Sequence, residues 1–241
     1  MRRYILAILP LLFCLTELSA QEPTQQVDAP VSQPVKEFIS SFTAIEVDAP
    51  IKLTLIKIES YEAPYIIYDT KGVFTSKFSA EVDKKSSTLK ISERNDPKRT
   101  SITEVKVFFN SLTDIHISKA DTTVEGTINS QLLDIHISND ANFIADIDVL
   151  DIMLSVSGKS RVVLTGATRY QTADISTAEY DGARLTSVST TVESSHSATA
   201  RVDATERLSA KTSTGGKVLY RSEPVILRTE ITLFGGEILR M

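Results

Sequence analysis

A pentapeptide that recurs at a nearly constant spacing constrains this chain more than any other feature. The sequence Asp-Ile-His-Ile-Ser occupies residues 114–118 and returns unchanged at residues 134–138. Four related segments follow at a similar interval, and every copy ends in serine. The six serines, at successive intervals of 20, 19, 19, 19 and 18 along the chain, are Ser118, Ser138, Ser157, Ser176, Ser195 and Ser213. A self-similar period of this length is typical of solenoid architectures.

Apolar and polar residues alternate within each copy, which is the pattern of a strand with one buried face. The second position is filled by Ile115, Ile135, Leu154, Ala173, Val192 and Ala210, and the fourth by Ile117, Ile137, Val156, Ile175, Ser194 and Thr212. Stacked coils would bury these two columns and share backbone hydrogen bonds. The sequence therefore predicts an all-β, mainly parallel, right-handed β-solenoid with short coils of about 18–20 residues.

The segments before the repeats also alternate and predict strands, while no helical periodicity is found in the chain after Ala20. The predicted strands lie in residues 45–58 with a Pro-containing break, 65–69, 88–92 and 104–109, and residues 95–100 form a polar loop. A last unit at 231–239 repeats the Gly-Gly pair of 213–219. We expect one solenoid domain over residues 38–241, with its clearest repeats in 112–241.

The segment 1–20 has the composition of a secretory signal peptide. Two arginines precede an apolar run over residues 4–15, and Leu-Ser-Ala ends at Ala20. The run is shorter than the ~20 residues that span a bilayer. Lipidation of Cys14 is the alternative, but cleavage for lipidation requires a small residue before the cysteine, and Phe13 is bulky. We expect export to the periplasm, the outer membrane or the extracellular space.

The composition of the remaining chain excludes several classes of partner. Residues 21–37 are rich in Gln and Pro and predict a disordered linker. After Ala20 there is neither Cys nor Trp, and 24 basic against 30 acidic residues give a net charge of −6 (26 − 2 and 31 − 1 from the whole chain). This charge disfavours nucleic acid and anionic lipid as partners. No other apolar segment is long enough to be transmembrane.

The two histidines of the pentapeptide raise the question of a metal site. In a parallel stack, His116 and His136 lie about 4.8 Å apart on adjacent strands, and Asp114 and Asp134 flank them. Zinc requires several converging ligands, yet the same column continues as Ser155, Asp174, Glu193 and Lys211. Such variety is typical of a solvated outer face. A secondary candidate for an exposed metal patch therefore consists of Asp114, His116, Asp134 and His136. No cofactor is predicted.

Three other motifs bear on catalysis. Gly158-Lys159-Ser160 resembles the end of a phosphate-binding loop, but Met153 replaces the first glycine and a strand pattern follows, so we predict a turn. Asp174 and Glu193 fall in one column, as a glycosidase pair would, although two solvated acids are the favoured interpretation. A serine–histidine triad would have to use His196 from a Ser/Thr-rich turn. No catalytic residue is predicted.

Three segments together resemble a known family: FTAIEVDAPIKLTLIK (42–57), STLKIS (87–92) and VKVFFNSLTDIHIS (105–118). They are similar to the putative auto-transporter adhesin head domain, also called the head GIN domain, over roughly residues 38–239. The resemblance implies a β-solenoid at the envelope of Gram-negative bacteria, without established catalytic residues. This chain departs from the family in keeping few of the glycines that follow each serine: those of SGKS (157–160), TGGK (214–217) and FGGE (234–237).

These observations lead to two hypotheses from different classes. The first is a non-enzymatic envelope protein that serves adhesion, binding or structure, with a surface glycan or an envelope protein as its partner. The alternative is a carbohydrate-active enzyme, a polysaccharide lyase or hydrolase, on a solenoid scaffold. Such enzymes usually carry several aromatic platforms, whereas this chain lacks Trp after Ala20 and its tyrosines Tyr170, Tyr180 and Tyr220 are isolated. The sequence therefore favours the first hypothesis.

Overall fold

The computed structural model describes residues 33–71, 77–94, 101–232 and 234–241 and confirms the predicted solenoid, which has about seven turns. All strands belong to one 16-stranded sheet, and the described residues contain no α-helix. The strands are β1 Val35–Phe38, β2 Ala44–Asp48, β3 Lys52–Lys57, β4 Tyr65–Asp69, β5 Phe78–Asp83, β6 Thr88–Glu93, β7 Glu104–Phe109, β8 Asp114–Ser118, β9 Asp121–Ser138, β10 Asn142–Val156, β11 Arg161–Ser176, β12 Glu179–Ser195, β13 Thr199–Thr212, β14 Gly216–Tyr220, β15 Ile226–Ile231 and β16 Gly236–Arg240.

The central coils are single long strands that bend around the core. Strands β9 to β13 contain 14 to 18 residues each and pair in parallel with both neighbours. The backbone stays in the ladder through most of each coil, with bulges where the register shifts. Parallel pairing in this form uses the hydrogen bonds of nearly every residue, so the coils hold together without disulfides.

The register between neighbouring strands aligns the residues of the predicted columns. Ile115 pairs with Ile135, Leu154 with Ala173, and Val192 with Ala210. The second-position residues are all buried, and so are those of the fourth position, including Ser194 and Thr212. The third-position residues point outward. Each coil thus continues one apolar core and one polar outer face.

The first coil does not stand at the end of the stack. Strand β2 pairs with β6 on one side and β8 on the other, and β3 lies between β7 and β9. The chain therefore builds one coil from β2 and β3, places β6 and β7 below it, and returns above it with β8. Antiparallel strands extend this lower end, because β4 pairs with β7, β1 with β4, and β5 with β6.

The N-terminal boundary differs slightly from the predicted one. Strand β1 begins at Val35, so the last residues of the predicted linker 21–37 lie in a strand that pairs with β4. The predicted signal peptide 1–20, the linker up to residue 32 and the predicted loop 95–100 lie outside the described residues.

The turns that follow the serine column adopt left-handed backbone. Positive φ occurs in these turns at the non-glycine residues Lys119, Asn139, Asp140, Lys159, Thr177, His196, Ser197, Thr214 and Phe234. Glycine reaches this conformation without steric cost, whereas other residues do not. Most of these turns thus adopt a backbone geometry that favours glycine, although other residues occupy it. Gly158-Lys159-Ser160 is one of these turns and leads into β11, as predicted.

Candidate functional site

The structure brings the four candidate metal-patch residues together on the outer face. His116 and His136 pair in register, and their ring centroids are 4.5 Å apart. His136 Nε2 lies 3.0 Å from Asp134 Oδ1, and Asp114 accepts a hydrogen bond of 2.6 Å from the Thr113 hydroxyl. The two imidazoles pack against each other with an interplanar angle of 43°. The geometry is that of a polar ladder.

The unexpected position of the first coil changes the surroundings of this patch. Glu46 pairs with His116, and Lys90 pairs with Glu46, so the column gains two residues that the repeat did not reveal. A shallow hollow of about 270 Å³ lies beside Glu46, Asp114 and His116. No group of three or more His, Cys, Asp or Glu residues within the described part of the chain is arranged to hold a metal ion. The metal patch stays a prediction that the geometry does not strengthen.

The carboxylates of the same column lie side by side. Asp174 pairs with Glu193, which in turn pairs with Lys211, and the Lys211 ammonium is 3.5 Å from the Glu193 carboxylate. Both acids are on the open face of strands, where water screens them. The two acids and Lys211 thus continue the polar outer ladder.

His196 takes part in the turn ladder. Its Nδ1 lies 3.2 Å from the Ser176 hydroxyl and 3.1 Å from the Ser195 hydroxyl. In the described residues, no carboxylate lies within 4.0 Å of this ring to complete a triad. His196 also has φ of 52°, as expected for a residue that closes a turn. Its contacts therefore support the turn and provide no activated nucleophile.

An aromatic cluster near β1 also has a structural role. Phe38, Tyr65 and Phe108 align across β1, β4 and β7. The rings of Tyr65 and Phe108 are stacked with centroids 4.0 Å apart, and the Lys36 ammonium lies 3.9 Å from the Tyr65 centroid. Phe108 and Lys36 cover the two faces of Tyr65, whereas the Phe38 ring stays exposed at the edge of the cluster. The cluster ties the antiparallel strands to the solenoid.

A buried polar network replaces the apolar core in the later coils. The Gln171 amide donates to the Tyr180 hydroxyl at 2.5 Å, and Thr190 donates to Gln171 Oε1 at 3.3 Å. Ser187 bonds Thr190 and donates to the Asp203 carbonyl. Burial raises the pKa of the Tyr180 phenol above its ordinary value. The network is enclosed by the coils. Its role is to provide hydrogen-bond partners for buried polar groups and not to bind a ligand.

A cleft at one corner of the coils has the features of a ligand site. Its volume is about 550 Å³, within the range of small-ligand sites. Tyr170, Ser189, Arg207 and Ile226 form one column of its lining, in register on four successive strands. Because Ser189 is small, a gap opens between the larger side chains of Tyr170 and Arg207. Arg169, Val188, Glu206 and Val225 complete the lining.

Two arginines in this cleft have no close ion pair among the described residues. Arg169 packs over the Tyr170 ring, with its guanidinium carbon 5.5 Å from the centroid. In the part of the chain that the structure describes, neither Arg169 nor Arg207 has a carboxylate within 4.0 Å, whereas Arg161, Arg201 and Arg240 each do. A guanidinium presents a planar fork of donors that matches a carboxylate. The cleft is therefore suited to an anionic group.

Sequence reasoning did not find this cleft, although part of its pattern is present in the sequence. Tyr170, Ser189 and Arg207 follow one another at intervals of 19 and 18 along the chain, which is the period of the serine column. Extending the repeat alignment beyond the pentapeptide would have placed these three residues together. The gap itself depends on side-chain sizes at a bend, which the period alone does not give.

The fold and surface define an all-β solenoid whose polar outer faces and corner cleft are open to partners. The family model described as putative auto-transporter adhesin, head GIN domain, matches residues 41–224. The chain belongs to this family, as its opening strands and serine column predict.

Solved structures with the same fold come from Bacteroides and Parabacteroides species. A putative adhesin from Bacteroides fragilis superposes with a TM-score of 0.74 at 14% identity, covering 87% of this chain and 97% of that one. A putative adhesin from Parabacteroides merdae gives 0.68 at 15% identity, with coverages of 87% and 96%. A structure described as a putative lipid binding protein from Parabacteroides distasonis gives 0.62 at 17% identity, also with 87% and 96%. At these identities the similarity shows the fold alone.

Two further comparisons complete the description. The search among curated proteins finds no significant match. Among the residues that the structure describes, no helix has the length and apolar character needed to cross a membrane.

Proposed function

We propose that this protein is an exported, non-enzymatic binding module of the cell envelope, and that its corner cleft binds an acidic glycan. The observation that carries the proposal is the pair of arginines, Arg169 and Arg207, which flank Tyr170 without carboxylate partners among the described residues. Membership in an adhesin-like family supports a role in binding.

The chemistry of the cleft favours a carboxylate-bearing sugar. Each arginine can donate two parallel hydrogen bonds to one carboxylate. Tyr170 and Arg207 lie in one column, two strands apart, about 10 Å, so an extended chain of sugars running along the solenoid axis would meet both. The exposed side of Tyr170 offers an apolar surface for a sugar ring. The net negative charge of the rest of the protein repels an acidic glycan. The two arginines therefore direct such a glycan to the cleft.

The same cleft lacks the groups of a glycosidase. Glu206 is the single carboxylate of its described lining, whereas retaining and inverting mechanisms both need a pair. Asp174 and Glu193, the pair considered from the sequence, lie in a different column. This supports binding without turnover.

Binding of the protein to a uronate-bearing polysaccharide, measured by calorimetry against a neutral polysaccharide, tests the proposal. We expect Arg169→Gln combined with Arg207→Gln to weaken binding by at least about tenfold, the equivalent of 1.4 kcal/mol. Higher salt should weaken binding by the unchanged protein, since the cleft is open to solvent.

Arg184→Gln is the matched control, because Arg184 is an exposed arginine outside the cleft and likewise has no described carboxylate partner. Equal loss in the control and in the double variant would point to general charge attraction and contradict a site at the cleft. Release of shorter sugars during the measurement would contradict the non-enzymatic role.

Export is the second part of the proposal, with residues 1–20 as signal peptide and residues 38–241 as the domain that is exported. The supporting observations are the charged, apolar and small-residue stretches that follow one another between Met1 and Ala20. Protease treatment of intact cells and of cells with an opened outer membrane locates the protein. Cleavage on intact cells indicates the surface, protection until opening indicates the periplasm, and retention in the cytoplasm would contradict export.

A further inference from the structure

The described strands leave an open edge at the C-terminal coil of the stack. Strand β15 pairs with β13 alone, and β16 pairs with β14 alone. Their outer N–H and C=O groups therefore have no strand partner among the described residues, and such an edge is a template for another strand. At the opposite end, β4 and β5 pack Tyr68, Phe78 and Val82 against the core. The two ends of the molecule are thus different.

Large apolar side chains concentrate at the open end. Seven of them are between 42% and 85% exposed: Val225, Ile226, Leu227, Ile231, Phe234, Leu239 and Met241. Leu227 pairs with Leu208, which is fully buried, so Leu227 continues the inward column, and no described coil lies above it. Solenoids normally end in a repeat with a polar outer side. Within the described residues, the apolar layer at this end is uncovered.

We propose that β15 pairs with β15 of a second copy, antiparallel, around a two-fold axis at Thr229. Two copies related by such an axis present the same strand to each other, which makes a closed dimer. The axis must pass through a pair of equivalent residues. Only then do the inward side chains of one strand lie opposite the inward side chains of the other. The inward residues of β15 are Leu227, Thr229 and Ile231, since their partners on β13 are buried.

The charges of β15 select one register from those that this rule allows. With the axis at Thr229, Arg228 faces Glu230 of the second copy on the outer face, and Leu227 faces Ile231 on the inner one. An axis at Arg228 sets two arginines against each other, and an axis at Glu230 sets two glutamates against each other. Opposite charges on facing positions stabilise a strand pair, and like charges destabilise it. Neither Arg228 nor Glu230 has an ion pair in the described structure that would compete.

Charge exchange tests this register directly. Sedimentation of the full chain over a range of concentrations should show a monomer–dimer equilibrium. Arg228→Glu and Glu230→Arg should each weaken dimerisation by at least about tenfold, since each places like charges opposite one another. Carrying both substitutions together should restore the dimer, because the pairs are then exchanged. Circular dichroism checks that all variants keep their strand content.

A cysteine at the axis gives an independent measurement. Cys14 is the single native cysteine, so Thr229→Cys in a Cys14→Ser background should form a disulfide-linked dimer under mild oxidation. Facing Cβ atoms in a strand pair are about 4.5–5.5 Å apart, close to the distance that a disulfide bridges. Ser209→Cys, one strand away from the edge, is the control and should stay monomeric on a denaturing gel.

Three results would overturn the proposal. A protein that sediments as a monomer at every concentration has no such interface. Growth into long filaments would show pairing between unlike ends. A dimer that survives both single substitutions, or that the double substitution fails to restore, uses a different surface or register. Loss of glycan binding by the cleft variants leaves this test unaffected, since Arg169 and Arg207 lie outside β15.

Discussion

The left-handed turns show how single residues store strain in this fold. Thr177 has φ of 52°, a conformation that a β-branched residue rarely adopts. Its N–H still bonds the Ser195 carbonyl at 3.3 Å, so the stack holds the turn in place. The cost of a non-glycine residue in this region is about 1–2 kcal/mol. The stability of the coils therefore offsets several such costs.

Thr177→Gly should stabilise the protein. Glycine removes the clash at Cβ, although it also gives the unfolded chain more freedom, so the net gain is about 0.5–1 kcal/mol. Chemical denaturation monitored by circular dichroism measures the free energy of unfolding. Thr172→Gly is the control, because Thr172 is exposed in the strand part of β11, where glycine should destabilise. A loss of stability at both positions would contradict the strain at Thr177.

At the scale of the strand, alternation decides which residues carry the fold. Ile135 is fully buried in the second-position column, and its neighbours in register are Ile115 and Leu154. Ile135→Asp would bury an unpaired carboxylate, which costs several kcal/mol. We expect this variant to lose its cooperative unfolding transition and its native strand signal.

The same substitution at the next residue is the matched comparison. His136 points to solvent, and its contact with Asp134 is open to water on one side, so His136→Asp should change the free energy of unfolding by at most about 1 kcal/mol. Thermal unfolding of the two variants under identical conditions makes the comparison. Similar damage at both positions would show that the outward face is not solvated as the structure has it.

The repeat columns were predictable and the order of the coils was not. Every pair of the second-position column follows from the period, because a parallel stack repeats one coil geometry. The insertion of β2 between β6 and β8 has no such pattern, since it depends on where the chain returns after β7. Strand β5 was missed because the half-exposed residues over Phe78–Asp83 do not alternate sharply. Long-range order of this kind is set by packing and not by local periodicity.

For the molecule as a whole, the functional surface was harder to predict than the fold. The sequence placed His116 and His136 correctly beside each other, yet the cleft with Arg169 and Arg207 depends on a small residue between large ones at a bend. The cleft is formed by side chains from three coils, so the sequence of one repeat does not reveal it. A dimer through β15 would present two of these clefts on one particle, which raises the effective affinity for a polymeric ligand.

Because each coil contacts mainly its neighbours, stability should vary along the solenoid. Strands β10, β11 and β12 have a paired strand on both sides, while β16 has one neighbour. Hydrogen exchange should therefore be slowest in β10–β12 and fastest in β16. In β15 it should depend on protein concentration, with slower exchange when the dimer is populated. Equal protection from β10 to β16 would mean that the stack opens as one cooperative unit, and concentration-independent exchange in β15 would contradict its pairing with a second copy.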